Sequence, residues 1–183
     1  MRALAALVVV VGAALLVAGC GGGSHSGTTT AAGSAPCSAD ALSGTFDVVP
    51  GSAGAGNIVY RLTLKNTSSS DCWVSGVLVP VAQLQDAGGA SLPTHIAAAE
   101  SPKSTTPARI VVHPGHSVKA DARFSPDVPG VGEQHPGPCE AKAATLSVEA
   151  PGGGNVAAAI VPPTAVCSKG ALQFSLYAAA AGA

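Results

Sequence analysis

Charge is scarce in this sequence. Only 10% of its 183 residues are Asp, Glu, Lys or Arg, and the formal net charge is −1. No basic patch and no block of like charge occurs, so nothing recommends a nucleic-acid partner. Aromatic residues are scarcer still, at 3%. The hydrophobic content of 47% therefore overstates the core, because much of it is alanine. Helix-forming Glu, Lys, Gln and Arg are few, whereas 23 Gly and 14 Pro call for short elements and frequent turns.

Several chemical signatures are also missing. No C-x-x-C pair occurs, which removes both a redox dithiol and the usual zinc spacing. There is no G-x-S-x-G elbow, no S-x-x-K and no H-E-x-x-H. The acidic residues are scattered, with no obvious pair for glycoside chemistry. The glycines of "GSAGAG" (51–56) are not in G-x-G-x-x-G order and no helix follows, so they suit a hairpin loop. The only Met is the initiator, which disfavours a blue-copper site. The expectation is a non-enzymatic protein with no cofactor and no metal.

What is present begins at the N-terminus. Met1 and Arg2 give a short positive start, and residues 3–17 form an apolar run. That run suits a cleaved secretory leader and is short for a permanent span. It ends in Val17-Ala18-Gly19-Cys20, which resembles a bacterial lipobox. The resemblance implies a signal peptide over residues 1–19 and acyl chains, palmitate among them, on Cys20. Two chains hold a protein durably on a membrane where one is marginal. Residues 20–36 are rich in Gly, Ser, Thr and Ala with no large apolar side chain, and they read as a flexible tether. A coil of that length spans roughly 20–25 Å. The expected location is the extracytoplasmic face of the cell membrane.

Four cysteines remain, Cys37, Cys72, Cys139 and Cys167. An even number in an exported chain favours disulfides. Three pairings are possible. Cys37–Cys72 and Cys139–Cys167 close the short local loops, each worth roughly 3–4 kcal/mol by chain entropy; crossed pairings stay open.

Alternation marks the strands. In "NIVYRLTLKN" (57–66), Ile58, Tyr60, Leu62 and Leu64 share one face. "SVKADARF" (117–124) points Val118, Ala120, Ala122 and Phe124 inward, and "ALQFSLY" (171–177) does the same with Leu172, Phe174 and Leu176. "CWVSGVLVPVAQLQ" (72–85) is β-rich but interrupted at Gly76 and Pro80. "SLPTHI" (91–96) and "RIVV" (109–112) read as short strands, and "ATLSVEA" and "VAAAIV" around "PGGGN" (151–155) as a hairpin. The predicted fold is all-β: an immunoglobulin-like antiparallel β-sandwich of about eight strands with two disulfides, over residues 37–177, ending in a frayed tail at 178–183. A closed barrel is the alternative. Trp73, beside Cys72, is expected to be a core residue packed on a disulfide.

The arrangement resembles an actinobacterial family known as domain of unknown function 4232. The residues that carry the resemblance run from Cys37 through "YRLTLKNTSSSDCWVSG" (60–76), with Asn66, Cys72 and Gly76, and "HPG" (113–115) before a strand. Cys139 before "LSVEAPG" and "CSKG" (167–170) before the last strand complete it. The resemblance implies an exported, lipid-anchored β-sandwich and carries no catalytic residues.

Two functional expectations follow. The first is a membrane-anchored, non-enzymatic domain that binds an envelope protein or cell-wall component. Its loops at 97–107 and 125–138 would form the binding surface at one end of the sandwich. The second is metal or small-ligand binding through the loops bearing His95, His113, His116 and His135, with "HPGH" (113–116) placing two imidazoles around one turn.

Overall fold

The alternating segments do become strands, and their apolar faces converge on one core. The computed structural model describes residues 34–133, 139 and 141–180. The signal peptide, Cys20 and all but the last three residues of the tether lie outside the described residues, as do His135 and residues 181–183. Among the described residues no helix is long and apolar enough to cross a membrane.

Among the described residues twelve strands occur in chain order: β1 (Ala35–Pro36), β2 (Leu42–Val48), β3 (Ile58–Asn66), β4 (Cys72–Ser75), β5 (Ala82–Gln85), β6 (His95–Ala98), β7 (Arg109–Val112), β8 (Ser117–Phe124), β9 (Ala143–Glu149), β10 (Asn155–Thr164), β11 (Ala171–Phe174) and β12 (Ala178–Ala179). A small sheet has the order β1-β4-β7. A nine-stranded sheet runs β5-β9-β10-β2-β3-β8-β11-β6, with β12 pairing on β8.

The protein is all-β with two disulfides, Cys37–Cys72 and Cys139–Cys167. The sheets are not purely antiparallel. β1 with β4, β10 with β2 and β11 with β6 run parallel. Such pairs join strands distant in sequence, so periodicity within a segment carries no signal for them. The expected count of about eight strands was low for a related reason. β2 has Gly44 at its centre, and only Leu42 and Phe46 are buried large side chains on it. A Cβ at Gly44 would stand 3.0 Å from Val156 Cγ1, so the gap lets β10 lie against β2.

The large sheet curls nearly into a barrel. Its edge strands β5 and β6 meet at Thr94, whose Oγ1 accepts the Leu84 N–H at 3.0 Å and Gln83 Nε2–H at 2.8 Å. The run expected to be one strand over 91–96 is divided there: Ser91 makes an isolated bridge to Gln85, and β6 starts at His95. Curling buries the inward faces of β2, β3, β8, β9, β10 and β11 together, with Phe46, Leu62, Leu64, Leu146, Ile160 and Phe174 at 1% exposure or less.

The small sheet adds Cys37, Cys72, Val74, Ile110 and Val112 to that same core. Asn66 joins the two sheets. It ends β3, is fully buried, and its amide donates to Val112 O and Ser70 O at 2.8 Å each. Its Oδ1 accepts Ser68 N–H at 2.9 Å and the Ser68 hydroxyl at 2.7 Å. Every polar atom of this buried side chain is thus engaged, as burial requires.

Two boundaries differ from expectation. β1 recruits Ala35 and Pro36 from the end of the tether onto β4. The tail is paired rather than frayed at its start: Ala178 and Ala179 lie against Lys119 and Val118, and Ala180 N–H donates to Ser117 O. β11 stops at Phe174: Ser175 N–H still donates to Asp121 O, but the Asp121 N–H donates to the Ser175 hydroxyl instead of its carbonyl, and Leu176 beyond is only half-buried.

Candidate binding cavity

Strand β8 shows why a site exists at one end of the large sheet. Its alternation sends Phe124 into the core and Arg123 outward. Arg123 lies opposite Val59 on β3 and Gln173 on β11. After Phe124 the chain leaves the sheet as a long loop, and the disulfide from Cys139 returns to Cys167, just before β11. Between these pieces is an open cavity of about 370 Å³. Arg123, Asn57, Gln173, Ser125 and Ser168 supply its polar walls; Phe124, Cys167 and Ala171 supply the rest.

The backbone beside Cys167 is unusual. Ser168, Lys169 and Gly170 have φ of 57°, 58° and 75°, three successive left-handed residues. Such a conformation costs about 1–3 kcal/mol at a non-Gly residue and persists when the surroundings hold it. Glu133 does the holding. Its Oε2 accepts Ser168 N–H at 2.8 Å and Gly130 N–H at 2.5 Å, and its Oε1 accepts Lys169 N–H. Successive N–H groups aimed at one point form a concave anion cradle. Desolvation raises the Glu133 carboxyl, but the Lys169, Gly130 and Ser168 N–H donors, with the Lys169 charge, outweigh it. The net effect holds the carboxyl below the ordinary glutamate value. Gly170 is also forced: its φ is positive, and a Cβ there would collide with Pro93 O at 1.8 Å.

The Glu133 carboxylate and the Cys139 and Cys167 sulfurs lie within 4.8 Å of one another. They are not a metal centre as they stand, because the sulfurs are joined in a disulfide and are not thiolates.

The histidines divide. His113 and His116 flank the expected tight turn, with His116 N–H donating to His113 O and Gly115 N–H to Asn66 O. Their rings stand edge-on at 5.8 Å, and His113 Nδ1 lies 2.9 Å from Asp71 Oδ1. His95 is elsewhere, on β6 opposite Ala171, at the far end of β8 from that turn.

Trp73 is not in the core. On β4, Cys72 and Val74 face inward, so Trp73 faces outward, half-buried, with the Arg109 guanidinium 4.3 Å from its ring centroid. Adjacency to a buried Cys in a strand places a residue on the opposite face, and that was the missed signal. Asn66, in the sequon-like Asn66-Thr67-Ser68, is fully buried and unavailable for modification.

The described parts of the two loops expected to form one surface lie at opposite ends of β11, and residues 134–138 lie outside the described residues. Ser125, at the start of the 125–133 segment, lines the Arg123 cavity, whereas residues 100, 101, 103 and 106 line a recess with Leu176, Tyr177 and Ala178. Strand register explains the separation: Ser125 follows the end of β8 beside Ala171, while the 99–108 loop leaves β6 past Phe174. Arg123, Gln173 and Ser168 were not singled out in the sequence. "ARF" and "LQF" offered only an outward residue between inward ones.

Fold and site together define a disulfide-stapled all-β domain with a polar cavity at one end of a curled sheet. The chain belongs to the family described as domain of unknown function (DUF4232), whose model matches residues 37–177. No curated protein and no solved structure matches it.

Proposed function

We propose that this protein is a lipid-anchored lipoprotein of actinobacterial type, held on the extracytoplasmic face of the cell membrane through Cys20. Its β domain, a distorted member of the immunoglobulin-like sandwiches, acts as a non-enzymatic binding module for an envelope component. The lipobox-like Val17-Ala18-Gly19-Cys20 and the Gly-rich tether support the anchor. The paired cysteines accord with an oxidising compartment. A three-stranded sheet closing over the same core as the larger one supports the sandwich ancestry.

The observation that carries the binding role is the Arg123 cavity. It is rimmed by a loop, backed by a rigid sheet and stapled by a disulfide, the arrangement in which folds of this kind hold ligands. Cross-linking of the native protein in envelope preparations, followed by identification of what is captured, tests this. Enrichment of one component over a chain lacking the 125–133 loop is expected; capture no better than background rejects the binding role. Mass spectrometry of the native N-terminus tests the anchor independently. A diacylated Cys20 is expected, and an unmodified N-terminus rejects it.

A second reading rests on the Asp71–His113–His116 surface, where a carboxylate and two imidazoles gather at one turn. Calorimetry with Cu²⁺ and Zn²⁺, on wild type and on His113→Ala/His116→Ala, decides it. Affinity weaker than about 1 mM ends the metal reading.

A further inference from the structure

The binding role proposed above leaves the ligand open, and the walls of the Arg123 cavity narrow its chemistry. Among the described residues Arg123 has no ion pair; the carboxylate–cation pairs are Arg61 with Asp121 and His113 with Asp71. Arg61, one step along the same outer face, shows what satisfies a guanidinium there. It grips Asp121 through Nε at 2.7 Å and NH2 at 2.8 Å. Arg123 presents the same planar fork to an open cavity. Gln173, opposite it in register, has a side-chain amide with no hydrogen bond among the described residues, and so does the Ser168 hydroxyl. Of the two acids on the 125–133 segment, Asp127 and Glu133, Glu133 already has three N–H partners, and neither pairs with Arg123 among the described residues. Uncommitted donors and a positive charge with no ion pair among the described residues therefore share one space, with Ala171 on the same outer face as Gln173.

The charge and the donors suit an anion, and the turn beside them points to its kind. Ser168, which lines the cavity, donates its backbone N–H to a carboxylate of the chain itself. A two-oxygen planar anion matches both the guanidinium fork and the spacing of donors at this turn. We propose that the cavity binds a carboxylate, with Arg123 gripping its two oxygens, Gln173 and Ser168 donating to them, and a short apolar body resting on Ala171. This deepens the binding role and rests on it. The carboxylate can come from a free small acid or from the end of a peptide.

Titration of the ¹⁵N-labelled full chain, followed by NMR at the Arg123 Nε–H, the Gln173 side-chain amide and the Ser168 amide, tests it. The probes are acetate, acetyl-dialanine, acetyl-dialaninamide and inorganic phosphate. Saturable shifts at those three groups are expected with a carboxylate, with Kd below about 10 mM, and at least ~10-fold weaker binding in Arg123→Gln. Tighter binding of acetyl-dialanine than of acetate identifies a peptide end, and equal binding a free acid. The amide is expected not to bind.

Arg123 is exposed, so Arg123→Gln should fold as wild type; Gln173→Ala, also exposed, should weaken binding as a second check. Binding of the amide as tightly as the acid, of phosphate alone, or of acetyl-dialanine unchanged in Arg123→Gln overturns the proposal. So does the absence of saturable shifts. The two levels fail separately. Equal capture of one envelope component by wild type and Arg123→Gln rejects the carboxylate site and leaves the binding role. No capture with intact carboxylate binding rejects the envelope partner alone.

Discussion

The two disulfides close loops of similar length in very different surroundings. Cys37–Cys72 spans 35 residues of sequence and both its cysteines are buried in the core, at 0% and 6% exposure. It sits where the small sheet meets the large one, near the Asn66 network. Cys139–Cys167 spans 28 residues and has one cysteine half-exposed. It holds a loop that is otherwise pinned by Glu133 on backbone N–H groups. The first region is held by packing, and the second by a covalent bond and an anion cradle. A frame resists local opening, whereas a cavity rim built on few apolar contacts opens more easily, which suits a binding site.

The sharpest way to break this comparison is to remove each bridge in turn. Chain entropy alone predicts nearly equal losses, about 3.8 kcal/mol for the first and about 3.6 kcal/mol for the second. If packing distinguishes them, Cys37→Ala/Cys72→Ala costs at least about 1 kcal/mol more than Cys139→Ala/Cys167→Ala, because it also opens space in the core. Urea unfolding of both double variants measures the difference; equal midpoints would mean the two staples act alike.

Asn66→Ala comes next. It leaves the Val112 and Ser70 carbonyls and the Ser68 N–H without their partner, at about 2–3 kcal/mol. Loss of stability at the same urea m-value is expected. A loss under about 0.5 kcal/mol would show that water replaces the side chain.

At the other region the effect is local. Glu133→Gln should abolish hydrogen-exchange protection of the Ser168 and Lys169 amides while β3 and β8 amides stay protected. Acid should do the same. The Glu133 carboxyl is held below its ordinary value in the folded chain, so its contribution is full above the unfolded pKa and fades as pH falls through the folded one. Protection of the Ser168 and Lys169 amides as strong in Glu133→Gln as in wild type would contradict the cradle. The smallest effect is expected for Asp121→Asn. Its pair with Arg61 is about two-fifths exposed on each side, and the loss should be no more than about 1 kcal/mol by thermal melting.

Legibility followed the same division. β3, β7, β8 and the β9–β10 hairpin were readable because alternation is a local property and their inward residues are large. β2 was missed because Gly44 replaces the side chain that would have completed its stripe. Trp73 was misplaced because its neighbour's burial was read as its own. The candidate cavity was invisible, since Arg123, Gln173 and Ser168 come from three segments that only strand register and a disulfide bring together.

Composition and alternation by themselves determined that this chain is all-β, short-stranded and dependent on cysteine staples. Those properties come from side-chain spacing along a pleated backbone and from a shortage of large apolar residues. Tertiary structure alone decided that β10 and β2 pair in parallel, that β5 and β6 meet at Thr94, and that Arg123 shares a cavity with the start of a carboxylate-holding turn. Each of those depends on contacts between residues far apart in the chain, and no local period encodes them.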